Sequence, residues 1–220
     1  MPMRPERFHR LRAVLRRRQP DLTVLMDRVN KSHNFSAILR NCDAVGVLNA
    51  HVIPPEEGLI LHRGTSAGTK KWVKVHRHES VESAVTVLRK DGFRLIAAHP
   101  SEGAVDFRNV DYTGATAILV GAELHGISEA GLKLADLHVK IPMTGMVRSL
   151  NVSVAISVLL FEALRQREDA GMYQTSRLDP AEFDRHLFEW AWPSLAAARR
   201  RDGKPYPKLG PDGELLPESE

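Results

Sequence analysis

Residues 116–163, TAILVGAELHGISEAGLKLADLHVKIPMTGMVRSLNVSVAISVLLFEA, hold the pattern that decides the fold. TAILV is a short, wholly apolar run that ends in Gly-Ala-Glu. Ser128 to Ala135 then have helical spacing, LHVKIPM reads as another strand, and a long apolar helix begins at Ser149 or Asn151 and runs to Ala170. A strand that is apolar on both faces belongs in a sheet covered on both sides. Toward the amino end the same alternation continues. LTVLMDRV (22–29), AHVIP (50–54), KWVKVHRH (71–78) and RLIAAHP (94–100) read as strands. NFSAILRNCDAVG reads as a helix with Asn34 as N-cap and Gly46 past its end, and ESVESAVTVLRKDG as an amphipathic helix closed by Gly92. Pro54 to Lys71 reads as an irregular loop. The expected fold class is therefore α/β, a mostly parallel sheet with helices on both faces.

Three segments are expected: a basic helix within 1–19, an α/β domain over 20–172, and a C-terminal extension over 173–220. In the first, Phe8, Leu11 and Leu15 share a stripe and Pro20 ends the helix. In the last, 181–200 is helical with an interruption at Pro193, and a Pro/Gly-rich basic tail follows. Hydrophobic residues make up 43% of the 220, enough for a core. The longest apolar stretch, Val152 to Leu164, is broken by Ser153, Ser157 and Glu162, so no membrane span is expected. MPMRPERFHR lacks the apolar run of a secretory signal. Cys42 stands alone, which suits a small buried residue in a reducing, cytoplasmic setting.

Charge is unevenly spread. Residues 1–18 carry seven arginines against Glu6, and 199–208 carry five basic residues against Asp202, within a chain whose net charge is only +4. Basic ends on a near-neutral body suit a polyanion such as RNA, with Arg10, Arg16, Arg17, Arg18, Arg199, Arg200, Arg201 and Lys204 as the candidate contacts.

Several chemistries are excluded. Gly-x-Gly-x-x-Gly is absent, which removes the common dinucleotide fingerprint. GAELHGIS (121–128) has P-loop spacing, but Ile127 stands where the lysine belongs. No Gly-x-Ser-x-Gly elbow occurs. His76 and His78 share a strand face without a third ligand at a recognisable spacing, so no metal is expected.

Three motifs remain: NFSAILR with Asn34 and Arg40; LVGAELHG, a strand ending at Gly121 and Glu123; and IPMTGMVRSLNVSVA with Ser149 and Asn151 before an apolar helix. Each admits a structural reading, as N-cap, surface arginine or helix-entry carboxylate. In this order and spacing they resemble the motifs of the SPOUT superfamily of RNA methyltransferases. The likeness is strongest to the 2′-O-methyltransferase branch and, within it, to the bacterial enzymes that act on guanosine 18 of tRNA. RRQPDLTVLMDRV, AVDFRNVDYT and FEALRQREDAGMY extend it over about residues 10–175.

The resemblance implies a C-terminal trefoil knot, S-adenosylmethionine as cofactor, tRNA as substrate and a homodimer to which the 151–170 helix contributes. It implies a cofactor pocket lined by Ala98, His99, Gly121, Ala122, Glu123, Ile141, Met143, Ser149, Leu150 and Asn151. Arg40 matches the catalytic arginine, as proton acceptor or as electrostatic stabiliser of an alkoxide. Asn34, Glu123, Ser149 and Asn151 complete the implied catalytic set. Arg148, Asn41 and Ala98 depart from the pattern, and Arg148 beside the pocket is a further candidate RNA contact.

Overall fold

Strand β1 (Leu22–Asp27) is buried at every position, and its alternation explains why. Val24 and Met26 join one apolar cluster and Leu25 the other. In β6 (Thr116–Val120), Ile118 and Val120 face the first cluster while Ala117 and Leu119 face the second. Both faces of the sheet are therefore covered, as its near-continuous apolar runs require. The computed structural model describes residues 3–55 and 71–217, so the loop read from Pro54 to Lys71 lies almost wholly outside the described residues.

The remaining strands are β2 (Asn49–Ile53), β3 (Lys74–Arg77), β4 (Arg94–Ala98), β5 (Val105–Asp106) and β7 (Leu137–Lys140). The seven-stranded sheet has the order β3-β2-β1-β6-β4-β7-β5, and every pairing is parallel. β5 has only two residues and no alternation for a sequence reading to detect. Helices α2 (Ser32–Ala44) and α5 (Val152–Asp169) supply Phe35, Ile38, Leu39, Ile156, Leu159 and Leu160 to one cluster. Helices α3 (Val81–Lys90) and α4 (Glu129–Leu134) cover the other face, with Val81, Ala84, Val85 and Leu88 buried there.

Asn34 is not the N-cap of α2. Helix α2 starts at Ser32 after Lys31, and Asn34 lies inside the first turn, buried. The last turns of α5 are held by Arg167, which is fully buried and donates to the carbonyls of Tyr112 (2.9 Å) and Gly114 (2.8 Å) and to Asp21 Oδ1 (2.7 Å). A buried guanidinium is tolerable because its donors are met.

The chain divides into two compact units, Pro20–Met172 and a second made of both ends, Met1–Gln19 with Tyr173–Glu220. The second contains α1 (Pro5–Arg16), α6 (Pro180–Ala191) and α7 (Pro193–Arg201). Phe8, Leu11 and Leu15 form the buried stripe of α1. Helix α6 is capped by Asp179, whose carboxylate accepts from the Ala181 and Glu182 amides, and Pro193 opens α7. Arg18 is fully buried with its guanidinium 5.2 Å from the Trp190 ring centroid, so this arginine is removed from the candidate RNA contacts.

The register of β2 and β3 sets His51 opposite His76. Three imidazoles stack there, with His51 5.0 Å from His76 and 5.1 Å from His78 between ring centroids. His51 Nδ1 and His78 Nε2 share a hydrogen bond of 2.8 Å. Burial, with the charges of His76 and His78, holds His51 down to about 3. Burial also lowers His76, which Lys74 depresses further, and His78. The unfolded chain therefore takes up protons at higher pH than the folded one. Stability is fully present above about pH 6.5 and is lost as pH falls toward the folded value. Thermal denaturation should show a melting temperature that declines from neutral pH to about pH 4.5, and His51→Phe should flatten that decline.

Candidate active site

Strands β6, β4 and β7 are neighbours in the sheet, and their carboxyl ends open on one cavity of about 440 Å³. Ligands of open parallel sheets bind at such ends, where the connecting loops diverge. Ala98 and His99 come from the end of β4, Val120 to Glu123 from β6, and Lys140, Ile141 and Met143 from β7. The far wall is Arg148 to Val152 with Ala155 and Leu159 of α5. Thus Ala98, His99, Gly121, Ala122, Glu123, Ile141, Met143, Ser149, Leu150 and Asn151, drawn from separate parts of the sequence, surround one space.

The lip of the cavity is a tight hairpin. Ala122 and Gly126 exchange backbone hydrogen bonds of 2.9 and 2.8 Å, leaving Glu123, Leu124 and His125 at its tip. A Cβ on Gly121 would lie 2.0 Å from the Gly126 carbonyl carbon and oxygen. Gly126 itself adopts φ +67°, in the left-handed region. Behind the hairpin, Asp27 at the carboxyl end of β1 accepts from the Ser128 amide at 2.8 Å, and Ser128 Oγ caps α4. Asp27 is buried, and its Oδ1 has no hydrogen-bond partner among the described residues.

Helix α2 reaches the same lip. Lys31 forms an ion pair with Glu123. The hydrogen bond from Lys31 is the largest influence holding the Glu123 carboxyl below its ordinary range, and the charges of Lys31 and His33 and a hydrogen bond from Asn34 add to it. Asn34 and Glu123 are therefore in contact. Neither Asn34 nor Arg40 is among the residues lining the cavity. Arg40 is exposed, and the next residue, Asn41, donates to the Ser153 carbonyl at 3.0 Å. Asn151 caps α5, its Oδ1 accepting from the Ser153 amide (2.8 Å) and hydroxyl (2.7 Å). Ser149 is exposed and does not cap α5.

His99 lines the cavity with a buried Nδ1 that has no hydrogen-bond partner among the described residues. His138 packs edge-on to it and bonds Ser101 Oγ at 2.6 Å. Of the candidate RNA contacts, Arg10, Arg16, Arg17, Arg200, Arg201 and Lys204 are exposed and Arg199 is half-buried, while Arg148 belongs to the cavity. Arg200 is engaged with Glu189 Oε1 at 3.2 Å. No cluster of His, Cys, Asp or Glu able to hold a metal occurs among the described residues. No helix among them is long and apolar enough to cross a membrane.

Lys31, Asn41 and Asp27 are the members that motif reading missed. Asp27 had a signal, being a carboxylate that closes an otherwise apolar strand. Lys31 and Asn41 had none, because their partners are 92 and 112 residues away.

The chain has relatives among known proteins. Residues 21–161 match the SpoU rRNA Methylase family, and residues 165–218 match the SpoU rRNA methylase C-terminal family. The chain belongs to the SpoU rRNA methylase family. A family member from Escherichia coli K12, tRNA (guanosine(18)-2′-O)-methyltransferase, is 47% identical over 97% of this chain and 94% of its own length. The crystal structure of the Aquifex aeolicus TrmH/SpoU tRNA modifying enzyme superposes with a TM-score of 0.80 at 42% identity, covering 86% of this chain and 97% of that one. AviRb of Streptomyces viridochromogenes, a SpoU methyltransferase solved in complex with the cofactor AdoMet, has a TM-score of 0.61 at 30% identity. There the match covers 69% of this chain and 62% of that one.

Gly121→Ala should be among the most damaging small substitutions in the chain. Its methyl meets backbone, which cannot rotate away as a side chain would, so the hairpin must open at a cost on the order of 3 kcal/mol. Thermal melting should register the loss, and Gly114→Ala, with open space around its Cβ, should be neutral by comparison.

Proposed function

We propose that this protein transfers a methyl group from S-adenosylmethionine to the ribose 2′-hydroxyl of guanosine 18 in tRNA. The observation that carries the reading is the cavity at the ends of β6, β4 and β7, bounded by the second and third motifs, with the first motif's helix joined to its lip through Lys31 and Glu123, in a family with relatives named for this reaction.

The cavity suits the cofactor. Its volume of about 440 Å³ lies in the range of small-molecule sites, roughly 300–1,000 Å³. Apolar walls from Ile141, Leu150 and Leu159 fit an adenine ring, and strand-end amides and carbonyls fit its edge. The orphaned His99 Nδ1 offers a polar contact that the described residues leave unmet. Bound there, S-adenosylmethionine supplies an electrophilic methyl on a sulfonium.

The chain's own residues supply the rest. Arg40 stands on α2 beside Asn41, which ties that helix to α5 at Ser153. A guanidinium keeps its proton in proteins, so Arg40 acts by stabilising the alkoxide that develops on the ribose. Glu123, held by Lys31 and Asn34, fixes the lip of the pocket. Asn151 caps α5 at the cavity wall, and Ser149 lines the same wall where its hydroxyl is free to meet substrate.

The strand order supports a trefoil knot in this region, since β7 inserts between β4 and β5 although it follows β6 in the chain. A homodimer accounts for large apolar side chains left exposed: Leu124, Met146 and Val147 on the cavity loops, and Val154 and Phe161 on α5. A tRNA substrate and a lone buried Cys42 suit the cytoplasm.

Purified protein with a tRNA transcript and S-adenosylmethionine should give 2′-O-methylguanosine at position 18, mapped by nucleoside mass spectrometry. Arg40→Ala should lower turnover at least 100-fold, on the scale of removing an oxyanion donor, with calorimetric cofactor affinity retained. Full activity in that variant overturns the role of Arg40. Replacing Arg16 and Arg17, or Arg199 to Arg201, should weaken tRNA binding and flatten its salt dependence without changing cofactor affinity.

A further inference from the structure

The unit built from the two chain ends contains a second cavity, of about 670 Å³, unconnected with the motifs above. Phe8 and Arg12 reach it from α1, and Phe183 and Asp184 from α6. Tyr206 and Lys208 come from the tail. The tail is a formed structure. Leu209 and Leu215 pair as an antiparallel bridge, Trp192 Nε1 donates to the Gly213 carbonyl at 2.9 Å, and His9 meets Asp212 at 2.9 Å. Tyr206 stacks on Phe188 with centroids 4.6 Å apart and planes 15° from parallel, and its hydroxyl donates to Glu189 at 3.1 Å. The cavity is thus preorganised on an aromatic floor.

Its chemistry is mixed in a specific way. Arg12 and Lys208 form no ion pair with any described residue. Arg185, also on the wall, shares its charge with Glu182 (3.5 Å) and Glu189 (3.6 Å). Phe183 is half-buried, and no described ring stacks on it. Asp184 is an exposed acceptor on the same wall. The setting is electropositive: this unit carries 14 Lys and Arg against 10 Asp and Glu, whereas Pro20–Met172 carries 17 against 17. All of the chain's formal net charge therefore resides in the unit that holds this cleft.

We infer that the cleft between α1, α6 and the tail binds one unstacked RNA nucleotide of the tRNA. Its base stacks on Phe183 and Tyr206, its phosphate lies against Arg12 and Lys208, and Asp184 accepts from a base N–H. Aromatic faces beside unpaired cations are the chemistry by which single-stranded nucleotides are held. The inference rests on the reading of the protein as acting on tRNA.

The test uses full-length protein and an unmodified tRNA transcript, with affinity measured across a series of salt concentrations. Arg12→Ala with Lys208→Ala, both at exposed positions, should reduce the slope of log affinity against log salt by about 0.7, the share of one neutralised phosphate on a single strand. Phe183→Leu keeps an apolar side chain but removes the stacking face. It should weaken binding about tenfold, the size of one lost base stack, and leave the slope unchanged. Both variants should keep wild-type affinity for S-adenosylmethionine. Wild-type tRNA affinity in Phe183→Leu, or an unchanged slope in the double variant, overturns the nucleotide site while wild-type methylation still stands. Failure of the wild-type protein to bind tRNA at all overturns the functional reading and this inference together. If Phe183→Leu melts early, the double variant alone decides.

Discussion

Gly121 and Gly126 approach so closely that no side chain fits between them, and the active-site region depends on that contact. The apolar strand β6 runs through the centre of the sheet and must end somewhere its backbone groups can be met. The bonds exchanged by Ala122 and Gly126 meet them within a hairpin too narrow for a Cβ at Gly121. The hairpin tip then carries Glu123 out to Lys31 and Asn34. Asp27 grips the amide of Ser128 on the return. A conformational licence at one residue thus joins the ends of β1 and β6 to the mouth of α2.

The two units divide the physical work. Pro20–Met172 is electrically balanced and holds an apolar core on both faces of its sheet, which suits a rigid pocket for a small cofactor. The ends of the chain combine into a smaller, basic unit whose helices bury narrow stripes and leave arginines in water. Long-range attraction of a polyanion needs exposed charge, whereas a methyl-transfer pocket needs burial. Separating them spares the pocket the cost of desolvating those arginines.

Much of this was legible in the residues, and the gaps follow a pattern. Period-two and continuous apolar runs located six of the seven strands, because burial on two faces leaves a mark in composition. β5 escaped, since two residues have no period. Arg18 was misread as a solvent-facing charge because it closes a run of three arginines, yet it lies under Trp190. Asn34 was misread as a cap because capping residues and polar residues inside a helix look alike until the helix start is known.

By itself the sequence determined the elements, the class of sheet, the basic ends and the three motifs, all of which depend on local propensity and on the spacing of apolar residues. The tertiary structure decided which strand ends are neighbours, that both termini form one unit, and which polar groups find partners. Lys31 with Glu123, Asn41 with Ser153, and the imidazole stack of His51, His76 and His78 are meetings across strands or loops. Such meetings are set by strand order and register, and these follow from packing the whole chain at once.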